Sequence, residues 1–309
     1  MTSVFIDGSA GTTGLRIAER LDSRSDIQLI RLSEEKRKDP AARREALNAA
    51  DIAFLCLPDD AAREAVAMIS SDRTVVIDTS TAHRTADGWV YGFPEIGGRR
   101  EKIRTARRIA NPGCHASGFI ALVAPLTEYG LLDPAAALSC CSLTGYSGGG
   151  KKMIAAYESA DRDPLLDAPR MYGLTQQHKH LPEMQAVCGL AAAPVFCPVV
   201  APYYAGMQVT VPLFSSQVRG GKAAVESLYA DYYRDGLVRF AEDPSESGFL
   251  SAGAMAGWDD MTVSVVGSAD RFVLTARFDN LGKGASGAAI QNMNLVLGVN
   301  ETTGLEAAP

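Results

Sequence analysis

One cysteine stands where a thiol can act as a nucleophile. Cys114 lies in "RIANPGCHASGFIALVAPL", between a Pro-Gly turn and an apolar run that predicts a helix. The amides at a helix N-terminus favour negative charge, which lowers the pKa of a cysteine there and raises its thiolate fraction. Cys114 is therefore predicted to be a catalytic nucleophile. The other cysteines are interpreted as reduced, buried thiols: Cys56, Cys140, Cys141, Cys188 and Cys197.

Two histidines in "QHKHLPEM" are candidates for the acid or base that a cysteine nucleophile needs. His178 and His180 are two positions apart, so an extended segment would place both side chains on one side. A Cys–His pair formed across the fold is the simplest arrangement. His83 and His115 are interpreted as polar residues satisfied by their surroundings. Glu183 offers a third ligand for zinc, but no Cys/His cluster completes such a site, and no metal is predicted.

The stretch "GSAGTTG" has glycines at every third position, directly after a predicted strand and before a predicted helix. The first glycine permits a tight turn, the second lets the backbone approach a pyrophosphate, and the third lets helix and strand pack closely. The amides of the helix N-terminus then face the phosphates. The alternative is a tight structural turn. We predict dinucleotide binding by Gly8, Gly11, Thr12, Thr13 and Gly14.

The segment "RLSEEKRK", at the end of the second predicted strand, bears on the choice of cofactor. A hydroxyl and cations suit the 2′-phosphate of NADP(H), and Ser33 and Arg37 are the predicted ligands. Glu34 leaves NAD as an alternative cofactor, because an acidic side chain there can accept from a ribose hydroxyl.

Two further positions are candidates for binding a substrate anion. Arg84, in "DTSTAHRT", supplies a guanidinium fork for a phosphate or carboxylate. Ser147 lies in the glycine-rich turn "TGYSGGGKKM", whose backbone amides can also face an anion.

The elements that must position these residues change in character near residue 112. Before it, short strands alternate with helices, which predicts a parallel, doubly wound, Rossmann-like α/β domain. In that domain Asp59 is a predicted helix N-cap. After it, long strand-like runs surround one helix, "GGKAAVESLYADYYRDGL", which predicts an α+β domain with a mostly antiparallel sheet. Residues 162–184 lack periodicity and are interpreted as a long functional loop.

The composition fits an ordinary soluble protein. Of 309 residues, 47% are hydrophobic and 21% charged, and the net charge is −6. Without a basic stripe, neither a nucleic acid nor an anionic membrane surface is an expected partner. No apolar run approaches the ~20 residues of a membrane span, and the first residues do not resemble a signal peptide. A cytoplasmic protein is expected.

Motifs from residue 10 to residue 298 resemble those of the N-acetyl-gamma-glutamyl-phosphate reductases, in particular the shorter of their two types. They are "AGTTGLRI", "DTSTAHRTADGWVYGFPEI", "NPGCHASGFIALVAPL", "TGYSGGGKKMI", "HKHLPEM" and "DNLGKGASGAAIQNMNLVLG". The resemblance implies NADPH-dependent reduction of N-acetyl-L-glutamyl 5-phosphate to the semialdehyde and phosphate, in L-arginine biosynthesis. It assigns the nucleophile to Cys114 and the acid/base to "HKHLPEM", where we prefer His180 and take His178 as a substrate contact.

The resemblance also implies an architecture. The wider group includes aspartate-semialdehyde dehydrogenase and glyceraldehyde-3-phosphate dehydrogenase, in which the C-terminal helix returns to the nucleotide domain. We therefore expect residues 1–112 together with 285–309 to form the NADP-binding domain, and 113–284 the catalytic and dimerisation domain. By the same analogy the protein is expected to be a homo-oligomer, either a dimer or a tetramer.

Two departures from the family pattern bear on substrate positioning. His115 and Ser117 stand where the family has an aromatic residue and a threonine, and Ala205 stands in place of glutamine. His115 is thus a candidate second base. The alternative functions are a reductase of a related acyl phosphate (aspartyl or aminoadipyl), a phosphorylating aldehyde dehydrogenase working oxidatively, and a non-catalytic NADP-binding sensor.

Overall fold

The computed structural model describes residues 1–308. The α-helices are α1 (Thr12–Asp22), α2 (Pro40–Ala49), α3 (Asp59–Met68), α4 (Arg99–Thr105), α5 (Cys114–Glu128), α6 (Gly150–Glu158), α7 (Leu181–Val187), α8 (Gly221–Tyr232) and α9 (Gly287–Leu297). The strands are β1 (Thr2–Asp7), β2 (Ile27–Ile30), β3 (Ile52–Leu55), β4 (Val75–Asp78), β5 (Val90–Tyr91), β6 (Arg108–Ala110), β7 (Ser139–Gly145), β8 (Arg170–Met171), β9 (Val195–Ala201), β10 (Met207–Phe214), β11 (Val238–Phe240), β12 (Met261–Gly267) and β13 (Arg271–Phe278). No helix within residues 1–308 combines the length and apolar character needed to cross a membrane.

The packing of the chain divides it into two units. The first comprises Met1–Pro94, Gly98–Pro112 and Ala285–Leu305. The second comprises Glu95–Gly97, Gly113–Gly284 and residues 306–308. Residues 306–308 thus pack with the second unit, although the sequence analysis assigned them to the nucleotide domain.

The first unit contains a six-stranded sheet in the order β2-β1-β3-β4-β6-β5, with every neighbouring pair parallel. Side chains alternate between its faces: Val4 packs into a cluster with Ile17 and Met293, whereas Phe5 packs with Leu47. Both faces are therefore covered by helices, as parallel sheets require. The Rossmann-like prediction is confirmed.

One predicted helix cap in this unit is wrong. Helix α3 begins at Asp59, and Pro58 is its N-cap residue. The Asp59 carboxylate instead accepts from the backbone amide of Thr81 at 2.9 Å and from the Thr81 hydroxyl. The side chain thus joins the start of α3 to the loop after β4.

The second unit contains a seven-stranded sheet in the order β11-β12-β13-β10-β7-β9-β8. The β11–β12 and β7–β9 pairs are parallel and the other four are antiparallel, so the sheet is mixed but mostly antiparallel. The segment after α6 is more ordered than predicted. It forms a 3₁₀-helix (Pro164–Asp167), the short strand β8 and the start of α7.

Helix α5, which carries Cys114 at its first position, is buried along most of its length and packs on β10 and β13. Gly118 permits the close approach, because a Cβ there would lie 2.4 Å from a methyl carbon of Val209. Pro125 lies inside the helix and cannot donate to the carbonyl of Ala121. The Tyr233 hydroxyl donates to that carbonyl at 2.6 Å instead, so the Ala121 carbonyl has a hydrogen-bond partner despite the proline.

Candidate active site and nucleotide cavity

The turn before Cys114 is fixed by hydrogen bonds to both backbone polar groups of Gly113. Helix α5 begins at Cys114, with Gly113 as the N-cap residue, as the sequence predicts. The Gly113 amide donates to Oε2 of Glu183 at 3.1 Å, and this glutamate is 1% exposed. The Gly113 carbonyl accepts from the Ser117 amide and hydroxyl at 2.8 and 3.1 Å. Glu183 is therefore a structural support of the nucleophile's turn, a role that its place in "HKHLPEM" did not reveal.

Three of the other thiols have raised pKa values. Desolvation by the surrounding protein raises the pKa of Cys56 to about 12 and raises the pKa of Cys140 and Cys141 above the ordinary range. Such thiols are poor nucleophiles near neutral pH. The prediction that all five are buried is wrong for Cys141, which is exposed on β7, and for Cys56 and Cys197, which are half-buried.

His178 and His180 lie together, but not through the extended segment expected from the sequence. His180 has helical dihedral angles (φ −90°, ψ −11°) as the N-cap residue of α7. Its backbone amide donates to Nδ1 of His178 at 3.2 Å, and the ring centroids are 4.8 Å apart. His180 is 5% exposed, whereas His178 is half-buried. A turn, rather than strand alternation, thus places the two rings side by side.

His115 does not have the properties of a second base. Its Nδ1 lies 2.7 Å from the Ser142 hydroxyl and its Nε2 lies 2.6 Å from the Tyr172 hydroxyl. Burial lowers its pKa to about 3, with smaller contributions from His178 and Lys179. A neutral imidazole donates from one nitrogen and accepts at the other. With both nitrogens engaged, His115 acts as a fixed support, which agrees with its interpretation as a satisfied polar residue.

Tyr172 is a site residue that sequence reasoning missed. Its hydroxyl contacts His115, and its ring centroid is 5.8 Å from that of His178. Burial raises its pKa well above the ordinary value, and the charge of Cys114 contributes to the same shift. The hydroxyl is therefore protonated at neutral pH and belongs to the cluster around the nucleophile. The position falls in an aperiodic stretch, so only its spacing of six residues before His178 could have indicated it.

Ser147 lies in the short 3₁₀-helix after β7, but its amide does not face an anion. The amide donates to the Tyr204 carbonyl at 3.0 Å, and the preceding amide donates to the Tyr203 carbonyl at 2.9 Å. The hydroxyl accepts from Nδ2 of Asn280 at 3.0 Å, and the residue is 1% exposed. Carbonyl groups thus occupy the amides of Tyr146 and Ser147, and the role of Ser147 as a substrate ligand stays a prediction.

Arg84, in the first unit, contacts the backbone just ahead of the nucleophile's turn. Its Nε donates to the Asn111 carbonyl and its Nη2 to the Thr79 carbonyl, both at 3.0 Å. The Asn111 side chain donates to the Ala285 carbonyl at 3.0 Å and accepts from Asn292 at 3.1 Å. Arg84 therefore helps to fix the conformation of Asn111. Its role as a substrate ligand stays a prediction.

The glycine loop has the geometry that its spacing predicts. Gly8 has φ +90°, and a Cβ there would lie 2.2 Å from the Cys56 carbonyl oxygen. A Cβ on Gly14 would lie 2.5 Å from the Gly8 carbonyl oxygen, whereas one on Gly11 would meet nothing closer than 3.4 Å. Thr12 and Thr13 are the first two residues of α1. The loop is therefore tight where β1 meets α1 and open at Gly11, where a phosphate would approach.

A cavity of about 560 Å³ lies beside this loop, at the carboxyl ends of β1 and β2. Gly8 lines it, together with four cationic residues: Arg31, Arg37, Lys38 and Arg43. Asp7 also lines it but is paired with Arg43 at 2.8 Å, and Arg37 is paired with Glu34 at 2.7 Å. Ser33 is not among the residues that line it. The volume, the basic lining and the helix N-terminus fit a dinucleotide.

Among residues 1–308, no group of three His, Cys, Asp or Glu residues is arranged to hold a metal ion. The Oε2 atom of Glu183 accepts from the Gly113 amide.

Comparison with known proteins agrees with the two-unit fold. Residues 114–280 match the family described as semialdehyde dehydrogenase, dimerisation domain, and residues 38–106 match the semialdehyde dehydrogenase NAD binding domain. The solved aspartate semialdehyde dehydrogenase II from Vibrio cholerae has a TM-score of 0.71 at 17% identity, over 96% of this chain and 98% of that one. The fold and the cysteine site thus define a protein of the semialdehyde dehydrogenase class.

More similar relatives specify the family within that class. N-acetyl-gamma-glutamyl-phosphate reductase 2 of Nostoc sp. is 45% identical over 98% of both chains. N-acetyl-gamma-glutamyl-phosphate reductase of Burkholderia lata is 46% identical over 96% of both chains. The chain belongs to the N-acetyl-gamma-glutamyl-phosphate reductase family, as its motifs indicate.

Proposed function

We propose that this protein reduces N-acetyl-L-glutamyl 5-phosphate to N-acetyl-L-glutamate 5-semialdehyde and phosphate, with NADPH, in L-arginine biosynthesis. The observation that carries the proposal is Cys114 at the first position of α5, within one unit that also holds the His178–His180 pair. The names of the relatives support the substrate, and the basic cavity beside Gly8 supports the cofactor.

In the first half-reaction the Cys114 thiolate attacks the acyl carbon. Phosphate leaves with the electron pair of the C–O bond, and a thioester forms on Cys114. The thioester accepts hydride more readily than a carboxylate, so covalent catalysis divides one difficult reduction into two easier steps. Glu183 holds the Pro112–Gly113 peptide through the Gly113 amide, and Ser117 holds the Gly113–Cys114 peptide through the Gly113 carbonyl, while the acyl group is attached.

In the second half-reaction the nicotinamide, when bound, supplies a hydride to the thioester carbon. His180 donates a proton to the developing alkoxide, which gives a thiohemiacetal on Cys114. The same histidine then takes the hydroxyl proton back as the C–S bond breaks, so that the aldehyde leaves and the thiolate is restored. Such a proton transfer contributes about 10²–10⁴-fold to the rate. His178, which accepts from the His180 amide, holds this residue and contacts the substrate.

NADP(H) is the proposed cofactor, with Gly8, Gly11, Thr12, Thr13 and Gly14 at the pyrophosphate. Arg37 is the proposed ligand of the 2′-phosphate, because it lines the cavity with three other cations. Ser33 contributes its carbonyl, which accepts from the Arg37 amide at 3.0 Å, and its hydroxyl is the second proposed ligand. We expect Arg37→Ala to raise the KM for NADPH by about tenfold or more while the KM for NADH changes little. Equal loss with both cofactors would contradict this assignment.

The decisive experiment follows the two half-reactions separately in Cys114→Ser. A phosphate burst on mixing with the acyl phosphate reports thioester formation, and absorbance of the reduced nicotinamide reports hydride transfer. We expect both signals to disappear, with NADP affinity retained. Turnover near the unmodified rate would refute the covalent mechanism. In the oxidative direction, N-acetylglutamate semialdehyde and aspartate semialdehyde are compared as substrates. A preference for the latter would assign the protein to the neighbouring acyl phosphate.

A homo-oligomer, a dimer or a tetramer, is the proposed assembly. Val209 faces α5, so the alternate β10 residues Thr210 and Phe214 lie on the opposite face of the sheet, where Phe214 is 60% exposed. Cys141 and Cys197 lie in register with Thr210 on the neighbouring strands. Arg271, the β13 partner of Phe214, lies on the same face. We propose that this face packs against a second copy of the chain, and light scattering of Phe214→Glu tests it. Six free thiols favour a cytoplasmic location.

A further inference from the structure

A buried ion pair lies directly beside a turn that contacts the nucleophile. Lys283 Nζ lies 2.8 and 2.9 Å from the two carboxylate oxygens of Glu95, and each side chain is 2% exposed. Oε1 of Glu95 also accepts from the Leu237 amide at 3.3 Å. Lys283 immediately precedes Gly284 in a short π-helical turn, Gly282–Ser286, which follows β13 and leads into α9. The pair therefore ties this turn to a segment far away in the sequence.

Gly284 lies against Cys114. A Cβ built on Gly284 would be 3.0 Å from the Cβ of Cys114 and 3.3 Å from the Phe278 ring. The Gly284 amide donates to the Asp279 carbonyl at 3.0 Å. The φ of Gly284 is not in the left-handed region, so a larger residue is disfavoured there by limited space rather than by backbone conformation. The Gly284 backbone thus forms a wall beside the nucleophile.

The Asp279 carboxylate accepts hydrogen bonds from backbone amides at the N-terminal end of the same turn. Its Oδ1 accepts from the amides of Leu281 and Gly282 at 2.6 and 3.2 Å, and its Oδ2 accepts from the Gly257 amide at 2.6 Å. The Asp279 carbonyl also accepts from the Gly284 amide at 3.0 Å. Lys283 adds a side-chain tie through Glu95, directly before Gly284, so the ion pair contributes to the position of Gly284.

Stability alone is a weak reason for such a pair. Desolvation of two charges offsets most of their attraction, and apolar side chains of similar volume would be equally stabilising. A bidentate contact between two buried charges does, however, fix one geometry, which apolar packing does to a lesser degree.

We propose that the Lys283–Glu95 pair is a positioning pair, which holds Gly284 against Cys114 and so directs the thiolate at the acyl carbon. The inference rests on the proposed function, in which Cys114 is the nucleophile. Both charges act through the turn. A displacement of about 1 Å at a reacting atom costs about 10²-fold in rate, so small shifts of Gly284 are sufficient for a measurable effect.

The first test adds one methyl group beside the nucleophile. Gly284→Ala places a Cβ 3.0 Å from that of Cys114, whereas Gly253→Ala, the matched control, meets nothing within 4 Å. We expect Gly284→Ala to lower kcat and the rate of Cys114 alkylation by iodoacetamide by about tenfold or more, with the KM for NADPH unchanged. Equal kcat values in the two variants would overturn the contact on which the inference depends.

The second test removes the charges singly and together. Glu95→Gln and Lys283→Met each leave one buried charge without its partner, and both stability and kcat should fall. The double variant Glu95→Leu/Lys283→Met is apolar throughout. We expect it to recover the midpoint of thermal unfolding while kcat stays about tenfold or more below that of the unmodified enzyme. Recovery of kcat together with the midpoint would reduce the pair to a structural role and overturn the proposal.

Cys114→Ser separates this inference from the proposed function. If that variant retains turnover, the covalent mechanism is wrong. If it is inactive while Gly284→Ala and the double variant turn over normally, the mechanism stands and only the positioning role is refuted.

Discussion

Acidification provides a test of the state of His115. The folded protein holds its pKa at about 3, against an ordinary value of 6.5, chiefly because the ring is buried. Between pH 6.5 and about 3 the His115 imidazole is protonated in the unfolded chain but not in the folded one. The free energy of unfolding therefore falls as the pH drops below 6.5. At about 1.4 kcal/mol per unit, the full shift corresponds to about 5 kcal/mol. Above pH 6.5 this contribution is fully present.

The most informative window lies between pH 6.5 and about 5, before most carboxylates titrate. There His115 alone should lower the free energy of unfolding by about 2 kcal/mol. Urea denaturation at several pH values measures this slope. His115→Gln removes the titrating group. Between pH 6.5 and 5 this variant should lose about 2 kcal/mol less free energy of unfolding than the unmodified protein, whatever its stability at pH 7.

Tyr172→Phe is the matched control. It removes the hydroxyl from Nε2 of His115 but leaves the imidazole buried. Since burial is the main cause of the shift, the slope of this variant should stay close to that of the unmodified protein. If His115→Gln and the unmodified protein lose stability in parallel from pH 6.5 to 5, the imidazole titrates normally, and its exclusion as a second base is wrong.

Two further predictions concern the residues around the nucleophile. His180→Asn should slow hydride transfer by about 10²-fold or more and spare the phosphate burst; if His178→Asn is the more damaged variant in the same stopped-flow comparison, the acid/base role passes to that residue. Glu183→Ala should lose about 1–3 kcal/mol in urea denaturation, because it leaves the buried Gly113 amide without its acceptor. Glu183→Gln keeps an acceptor oxygen and should lose less, and equal stability of Glu183→Ala and the unmodified protein would show that the contact is dispensable.

Local signals were sufficient where a short stretch determines its own conformation. The glycine spacing predicted the β1–α1 turn, and the Pro-Gly turn before an apolar run predicted a helix beginning at Cys114. The interpretation of His83 as a satisfied polar residue also agrees with the structure. Its ring contacts the Asp78 carboxylate at 2.6 Å and stacks on Trp89 with centroids 4.1 Å apart.

The sequence was insufficient where partners are distant along the chain. Glu183 and Gly113 are 70 residues apart, and Lys283 and Glu95 are 188 apart, so no periodicity connects them. The partner of the Ser147 amide could not be foreseen for the same reason, because the carbonyl that it binds belongs to the segment after β9. A charged residue within an otherwise apolar motif indicates that its side chain has a partner in the fold, but the sequence does not show which residue that partner is.

The main segment of the second unit begins at Gly113 and ends at Gly284, and these two ends adjoin, since Gly284 packs on Cys114. In the first unit, the two chain segments that flank these ends are joined by the hydrogen bond from the Asn111 side chain to the Ala285 carbonyl. Most of the nucleophile-bearing unit is therefore one continuous insertion with adjoining ends, which is completed by Glu95–Gly97 and residues 306–308. Exchange of that insertion would replace the cysteine and both histidines together, and the nucleotide cavity would be inherited unchanged.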